Sequence, residues 1–127
     1  KVKLAIIGSR GITSYDLVNS QFEKLLTDCP NISTIVSGGA RGVDTLAEEV
    51  AKQHGLELTV FPADWKTYGK KAGFLRNTTI IEESDIVLAI WDGASRGTMD
   101  SVKKAKALGK PCRVVDLSQQ LNTDILF

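Results

Sequence analysis

Short apolar runs alternate along the chain with longer segments in which apolar residues recur at helical spacing. The apolar runs predict five strands, over residues 4–7, 32–36, 56–61, 86–91 and 112–115. Apolar residues spaced three and four apart predict helices over residues 15–27, 43–53 and 97–108, and a further helix from residue 70 or 72 to 83. Residues 119–127 have no clear period, and a short strand, a docked arm and a frayed end are the alternatives for this tail, which the prediction begins at residue 117.

The order of these elements predicts the fold class. Strands that alternate with helices and are apolar throughout, rather than at every second position, are typical of a parallel sheet covered on both faces. Crossover connections between parallel strands are right-handed. The sequence therefore predicts a single α/β domain over residues 1–127, with a Rossmann-like, doubly wound, mainly parallel five-stranded sheet and helices on both faces.

Composition and charge narrow the classes of function. The 127 residues are 43% hydrophobic and 24% charged, and no apolar run approaches the ~20 residues of a membrane span. Sixteen basic and fifteen acidic side chains leave a formal charge of +1, so we expect neither a membrane nor a nucleic-acid partner. Cys29 and Cys112 match no metal-ligand spacing. We expect reduced thiols, a cytoplasmic location, no metal and no resident cofactor.

Glycines, hydroxyl groups and arginines collect where the predicted strands end. Ligands of open α/β sheets bind at the carboxyl ends of the strands, where the strand order reverses. Glycine-rich backbone and a helix amino terminus favour an anion there, although a tight strand-to-helix turn also explains such a loop. The spacing matches neither the P-loop nor the dinucleotide fingerprint. The candidate residues are Gly8, Ser9 and Arg10 after the first strand, Ser37, Gly38, Gly39, Arg41, Gly42 and Asp44 after the second, and Gly97 and Thr98 after the fourth.

Several side chains have both a binding and a structural interpretation. Arg10 can hold a phosphate with two hydrogen bonds, whereas Arg41 can point towards the ligand or away from it. Asp44 can bind a ribose hydroxyl or stabilise a helix amino terminus. Trp65 and Tyr68 can stack on a base or pack in the core or in a lid.

The combined motifs resemble the SLOG superfamily, which is named after the SMF/DprA and Lonely Guy proteins, and in particular its YspA-like branch. The resemblance rests on the loops above, on the segment Pro-Ala-Asp-Trp that ends at Trp65, on Arg76 and Asn77, and on Gly97 and Thr98. It implies a Rossmann-like domain for a nucleotide-derived ligand, with Arg76 and Asn77 at the site, and a homodimer. Known members include phosphoribohydrolases, single-stranded-DNA-binding proteins and ligand sensors.

One departure bears on catalysis. Lonely Guy enzymes carry the signature Pro-Gly-Gly-x-Gly-Thr-x-x-Glu, whose glutamate supports hydrolysis. Gly97 and Thr98 match it here, but Ser101 stands at the glutamate position. Hydrolysis of an N-glycosidic bond needs a carboxylate near the anomeric carbon, and the candidates are Asp44, Asp92 and Asp100.

Three hypotheses follow. We expect first a sensor or binding domain for a nucleotide or nucleotide-derived small molecule, such as an ADP-ribose-like or NAD-like species or a nucleoside monophosphate. The second is a hydrolase of an N-glycosidic or phosphate bond in such a ligand. The third is a single-strand binder that resembles DprA, which the near-neutral charge disfavours.

Overall fold

The computed structural model describes residues 2–118 and has the predicted α/β architecture. Of the tail 117–127, residues 119–127 lie outside the described residues. The strands are β1 (Val2–Gly8), β2 (Ile32–Ser37), β3 (Glu57–Val60), β4 (Ile86–Trp91) and β5 (Cys112–Asp116). The helices are α1 (Tyr15–Asp28), α2 (Val43–Gln53), α3 (Trp65–Tyr68), α4 (Ala72–Glu82) and α5 (Arg96–Ala107), with a 3₁₀ turn at Gly69–Lys71 between α3 and α4.

The five strands form one sheet in the order β3-β2-β1-β4-β5, and every neighbouring pair is parallel. The chain therefore moves outward from β1 to β3, returns to the other side of β1, and moves outward again to β5. The strand order reverses between β1 and β4, where Gly8 pairs with Ile90. This doubly wound topology confirms the predicted fold class.

Two hydrophobic layers hold the helices on the sheet. Leu4 and Ile6 of β1 pack in the layer that contains Phe22 of α1 and Val50 of α2. The alternate β1 side chains, Ala5 and Ile7, pack in the layer that contains residues of α4 and α5. A central strand whose two faces are both buried has to be apolar at every position, which is why β1 and β4 were predicted from the sequence.

The third strand is more exposed than the prediction of a sheet covered on both faces implies. All four residues of β3 are exposed, and Leu58 and Val60 remain 41% and 38% accessible. The strand is shorter than predicted and lies at the edge of the sheet, so only β2 covers one of its sides. Apolar side chains at a sheet edge have the same sequence pattern as a buried strand, and the pattern alone does not separate the two cases.

The sequence did not predict α3 or the 3₁₀ turn that follows it. Asp64 caps α3, because its carboxylate accepts a hydrogen bond from the backbone N–H of Thr67 at 3.1 Å. A helix of four residues is too short to display a period of 3.6, so hydrophobic spacing gives no signal for it.

The single histidine has a structural place. His54 ends α2, and its Nε2 lies 2.8 Å from Oδ1 of Asn19 on α1. Its ring meets that of Phe22 edge to face, with 4.9 Å between the centroids.

No helix within residues 2–118 is long and apolar enough to cross a membrane.

Candidate functional site

A cleft of about 390 Å³ opens at the edge of the sheet where β1 and β4 end. We call it the first cleft. The strand order reverses at this point, which is where open α/β sheets bind ligands, and the volume lies within the range of about 300–1,000 Å³ found for small-molecule sites. It is lined by Ile7, Gly8, Arg10, Gly11, Ala40, Asp44, Arg76, Asn77, Ile80, Asp92, Ser95, Gly97, Thr98 and Ser101.

Two of the predicted glycines let the segments around the cleft approach closely. A Cβ on Gly8 would collide with the carbonyl oxygen of Ile90 and with the side chain of Val43. Gly42 has a φ of +77°, and a Cβ there would lie 2.5 Å from the carbonyl oxygen of Arg10. Because neither position has room for a side chain, these glycines determine how the loops after β1 and β2 pack together.

Ser9 and Ser37 are buried and support the loops from inside the protein. Ser9 Oγ accepts a hydrogen bond from the backbone N–H of Asp92 at 3.1 Å, which joins the loop after β1 to the loop after β4. Ser37 Oγ donates to the carbonyl oxygen of Asp44 at 3.1 Å and accepts from the N–H of Gly39 at 3.3 Å. We predicted both as ligand contacts, but the structure places both hydroxyl groups in bonds within the protein.

Asp44 is a buried carboxyl group on the wall of the first cleft. It is 7% exposed, and its Oδ2 accepts a hydrogen bond from the N–H of Ala40 at 3.2 Å. Burial raises the pKa of this carboxyl from 3.8 to about 6, although the Ala40 hydrogen bond and the charges of Arg76 and Arg10 act in the opposite direction. Asp44 therefore changes its charge close to neutral pH.

Arg76 reaches from α4 across to the loop after β2. Its Nη1 donates to the carbonyl oxygen of Gly38 at 2.7 Å, and its Nε donates to Oδ1 of Asn77 at 3.1 Å. A Cβ on Gly38 would lie 2.7 Å from Arg76 Nη1 and 2.8 Å from Asp44 Oδ2, so both side chains lie against this glycine. Burial lowers the pKa of Arg76, but a guanidinium keeps its charge in proteins. It gives the cleft a cation of fixed orientation.

The first turn of α5 forms the wall that contains Gly97 and Thr98. Ser95 caps this helix, since its Oγ accepts from the N–H of Thr98 at 3.4 Å. The carboxylate of Asp92 accepts two backbone hydrogen bonds of 2.8 Å in the preceding turn, and these bonds lower its pKa. Asn77 Nδ2 donates to the carbonyl oxygen of Gly97 at 3.4 Å, which joins α4 to this turn.

A second cleft, of about 550 Å³, adjoins the first. Arg10, Ala40 and Arg76 line both clefts. The remaining lining residues of the second cleft are Gly38, Gly39, Arg41, Pro62, Ala63 and Trp65. Trp65 is 52% exposed, so it is not a core residue, and of the two orientations considered for Arg41 the structure shows one that lines this cleft.

Tyr68 is as exposed as Trp65, but it lines neither of these clefts. It faces a groove of about 430 Å³, which Leu75 and Thr79 of α4 also line. This groove shares Pro62 with the second cleft and Arg76 with both clefts. The two aromatic residues predicted together as stacking groups therefore line adjoining grooves and not the same cleft.

Two of the three candidate catalytic carboxylates, Asp44 and Asp92, line the first cleft. Asp100 is not among its lining residues and forms an ion pair with Lys104, with 2.7 Å between Oδ2 and Nζ. Ser101, which stands at the glutamate position of the hydrolase signature, does line the cleft, and its hydroxyl donates to the carbonyl oxygen of Gly97 at 3.3 Å. Within residues 2–118, no group of three or more His, Cys, Asp or Glu side chains is placed to hold a metal ion.

Sequence analysis missed several lining residues, namely Ile7, Gly11, Ala40, Ile80 and Ser95, and it considered Ser101 only for its position in the signature. Most of them are small or apolar and carry no chemistry that marks a site. Their shared position at the carboxyl ends of β1 and β4 would have indicated Ile7 and Ser95, while Ile80 enters the cleft from α4 through tertiary packing.

Comparison with known proteins establishes the family. The model of the YspA, cpYpsA-related SLOG family matches residues 2–68, just over half of the chain. The chain belongs to this family. The gene 61 protein of Mycobacterium phage D29 is 35% identical over 115 residues, in an alignment that covers 86% of this chain and 92% of the phage protein. The SLOG resemblance found from the glycine-rich loops is confirmed.

Comparison with solved structures shows that this SLOG chain has a fold similar to that of a DNA-processing protein. DprA from Streptococcus pneumoniae aligns with a TM-score of 0.67 at 21% identity, over 89% of this chain and 50% of DprA. DprA from Helicobacter pylori, described for its single-stranded DNA binding mode, aligns with a TM-score of 0.62 at 25% identity, over 97% of this chain and 72% of that protein. The chain thus spans half the length of the first of these proteins and shares its fold.

Proposed function

We propose that this SLOG-family chain binds a nucleotide or a nucleotide-derived small molecule in the first cleft and acts as a sensor or binding domain. The observation that carries the proposal is the convergence of Arg10, Arg76 and the first turn of α5 on one cleft, at the reversal of the strand order. Two guanidinium groups and a helix amino terminus are a suitable environment for a phosphate. The carboxylates of Asp44 and Asp92, in the same cleft, are acceptors for ribose hydroxyl groups.

We favour binding over hydrolysis because of the residue at the position of the signature glutamate. Ser101 lines the cleft there, and a serine hydroxyl does not accept a proton near neutral pH as a glutamate carboxylate does. Asp44 and Asp92 remain the carboxylates available for the alternative, a nucleotide hydrolase. Release of free base or phosphate from a nucleotide by the wild-type protein, and its loss in Asp44→Asn or Asp92→Asn, would establish that alternative.

Calorimetric titration with adenosine monophosphate (AMP) tests the proposal. Arg10 is exposed and lines the cleft, so Arg10→Ala removes a charged contact without disturbing the core. Lost hydrogen bonds to a charged group are worth about 1.5–3 kcal/mol, so we expect AMP affinity to fall about tenfold or more. Arg113→Ala is the matched control, because Arg113 lies on β5, pairs with Asp28 and lines neither cleft. Equal affinity of the wild type and Arg10→Ala, or no binding, would refute the proposal.

Single-stranded DNA binding is the second candidate, and the similarity to H. pylori DprA supports it. Exposed Trp65, Tyr68 and Phe74, together with basic residues on the 3₁₀ turn at Gly69–Lys71, are the kind of surface on which bases stack. The similarity to DprA and this exposed surface weaken the expectation, drawn from the near-neutral charge, that the protein has no nucleic-acid partner. A strand bound in this way shows an affinity for oligonucleotides that falls steeply with salt, and a titration at several salt concentrations measures it.

A further inference from the structure

The first and second clefts adjoin each other, and two arginine residues line both of them. Arg10 and Arg76 line both clefts, so each of these side chains has access to a ligand group on either side. The orientation of Arg76 is fixed by its bonds to Gly38 and Asn77. Both arginines therefore border the junction between the clefts, and the charge of Arg10 is close enough to act on the guanidinium of Arg76.

The two clefts differ in what surrounds that junction. The first has hydroxyl and carboxylate groups, from Thr98, Asp44 and Asp92, that match a ribose. The second is lined by Trp65 and Pro62, by glycines of the loop after β2, and by the exposed residue Arg41. Such a surface matches the face of a second ring system, on which an aromatic ring and a guanidinium plane can both stack.

We propose that the second cleft is a subsite for the distal half of the ligand, and that the ligand is a small molecule in which a phosphate linker joins two nucleoside-like halves. The linker lies between Arg10 and Arg76, one half occupies the first cleft, and the ring of the other half stacks on Trp65. This inference rests on the proposed function and specifies the class of nucleotide derivative. A mononucleotide fills only the first cleft, so it uses the arginines but not Trp65.

Gly39 contributes to the second cleft through its backbone. It has a φ of +71°, and a Cβ there would lie 3.0 Å from Cγ1 of Val60 on β3. A glycine at this position therefore allows the loop after β2 to turn close to β3 at the border of the cleft.

Calorimetry with two probes tests the inference, AMP for one half and diadenosine diphosphate for the two-part ligand. We expect the wild type to bind diadenosine diphosphate about tenfold or more tightly than AMP, since stacking of a base on an aromatic side chain has a comparable effect. Trp65→Ala should abolish that gain and leave AMP affinity unchanged. Trp65 is half exposed, so the fold should tolerate its removal.

Tyr68→Ala is the matched control, because Tyr68 belongs to the same short helix, is equally exposed and lines neither the first nor the second cleft. It should change neither affinity. Equal affinities of the wild type for the two probes, or an equal loss of both in Trp65→Ala, would overturn the two-part ligand while AMP binding that depends on Arg10 still upheld the proposed function. Absence of binding to both probes would overturn both.

Deoxyadenosine oligonucleotides of increasing length provide a further arm. The inference predicts that they bind no more tightly than diadenosine diphosphate, whatever their length. If affinity keeps rising with oligonucleotide length and exceeds the affinity for diadenosine diphosphate, the second cleft binds a nucleic-acid strand. That result would contradict a small two-part ligand.

Discussion

Replacement of Asp44 by asparagine should stabilise the empty protein at neutral pH and have progressively less effect in acid. The carboxyl of Asp44 has a pKa of about 6 in the folded protein, against 3.8 for the ordinary group, because it is buried. Between these two values the folded protein keeps the proton that the unfolded chain has released. The folding free energy that the protonated Asp44 contributes, relative to the ionised group, is therefore fully present below pH 3.8 and is lost as the pH rises through about 6.

The size of the effect follows from the pKa shift. The shift is roughly two units, and at about 1.4 kcal/mol per unit the ionised carboxylate costs about 3 kcal/mol of folding free energy above pH 6. The asparagine side chain introduced by Asp44→Asn has nearly the same shape, keeps an oxygen that can accept from the N–H of Ala40, and carries no charge. The difference in unfolding free energy between the variant and the wild type should therefore grow by about this amount between acid and neutral pH.

Urea unfolding of both proteins, at several pH values between about 4 and 8, measures that difference. Asp16→Asn is the matched control, because Asp16 is also an acidic residue in the first turn of a helix but its side chain is exposed. A difference for Asp44→Asn that stays constant with pH would refute the reasoning. An equal pH dependence in Asp16→Asn would show that burial is not responsible, because a helix amino terminus by itself favours the ionised carboxylate.

Two further predictions concern the loops and the site. Gly42→Ala should lower the unfolding free energy by about 2 kcal/mol or more, because Gly42 has a φ of +77° and its added Cβ would meet the backbone of Arg10. Gly11→Ala, whose added Cβ has no atom within 4 Å, should stay within about 0.5 kcal/mol of the wild type, and equal effects of the two variants in thermal unfolding would contradict the account. The AMP affinity of the wild type relative to Asp44→Asn should rise as the pH falls through about 6, because protonation of Asp44 removes a negative charge from the cleft that holds the phosphate, while its carbonyl oxygen can still accept from a ribose hydroxyl. The phosphate titrates alike in both titrations, so a ratio that is independent of pH would contradict this effect of Asp44.

The sequence was sufficient for the sheet and most of the helices because their burial is periodic. The predicted ranges for β4 and α2 agree with the structure to the residue, since continuous apolar runs and helical spacing both report burial on the sheet. The exposed edge position of β3 was not predictable from its apolar residues, because strand order depends on contacts between distant segments.

Only part of the candidate site could be predicted from the sequence. The loops that contain Gly8 and Gly97 were found because glycine and arginine after a strand have a recognisable chemistry. Whether a hydroxyl faces the ligand or the interior depends on tertiary packing, so the inward positions of Ser9 and Ser37 could not be foreseen. Burial of Asp44, and with it the raised pKa, is likewise a property of the assembled cleft.

An amide chemical-shift titration of ¹⁵N-labelled protein with AMP tests most directly whether the first cleft is the nucleotide site. The account predicts the largest shifts at the amides of Arg10, Ala40 and Thr98, which belong to three segments that meet at this cleft. The amides of β5 near Arg113 should not move. Shifts that are absent, or that concentrate on the groove of Tyr68 while those three amides stay unchanged, would contradict the assignment of the cleft as the nucleotide site.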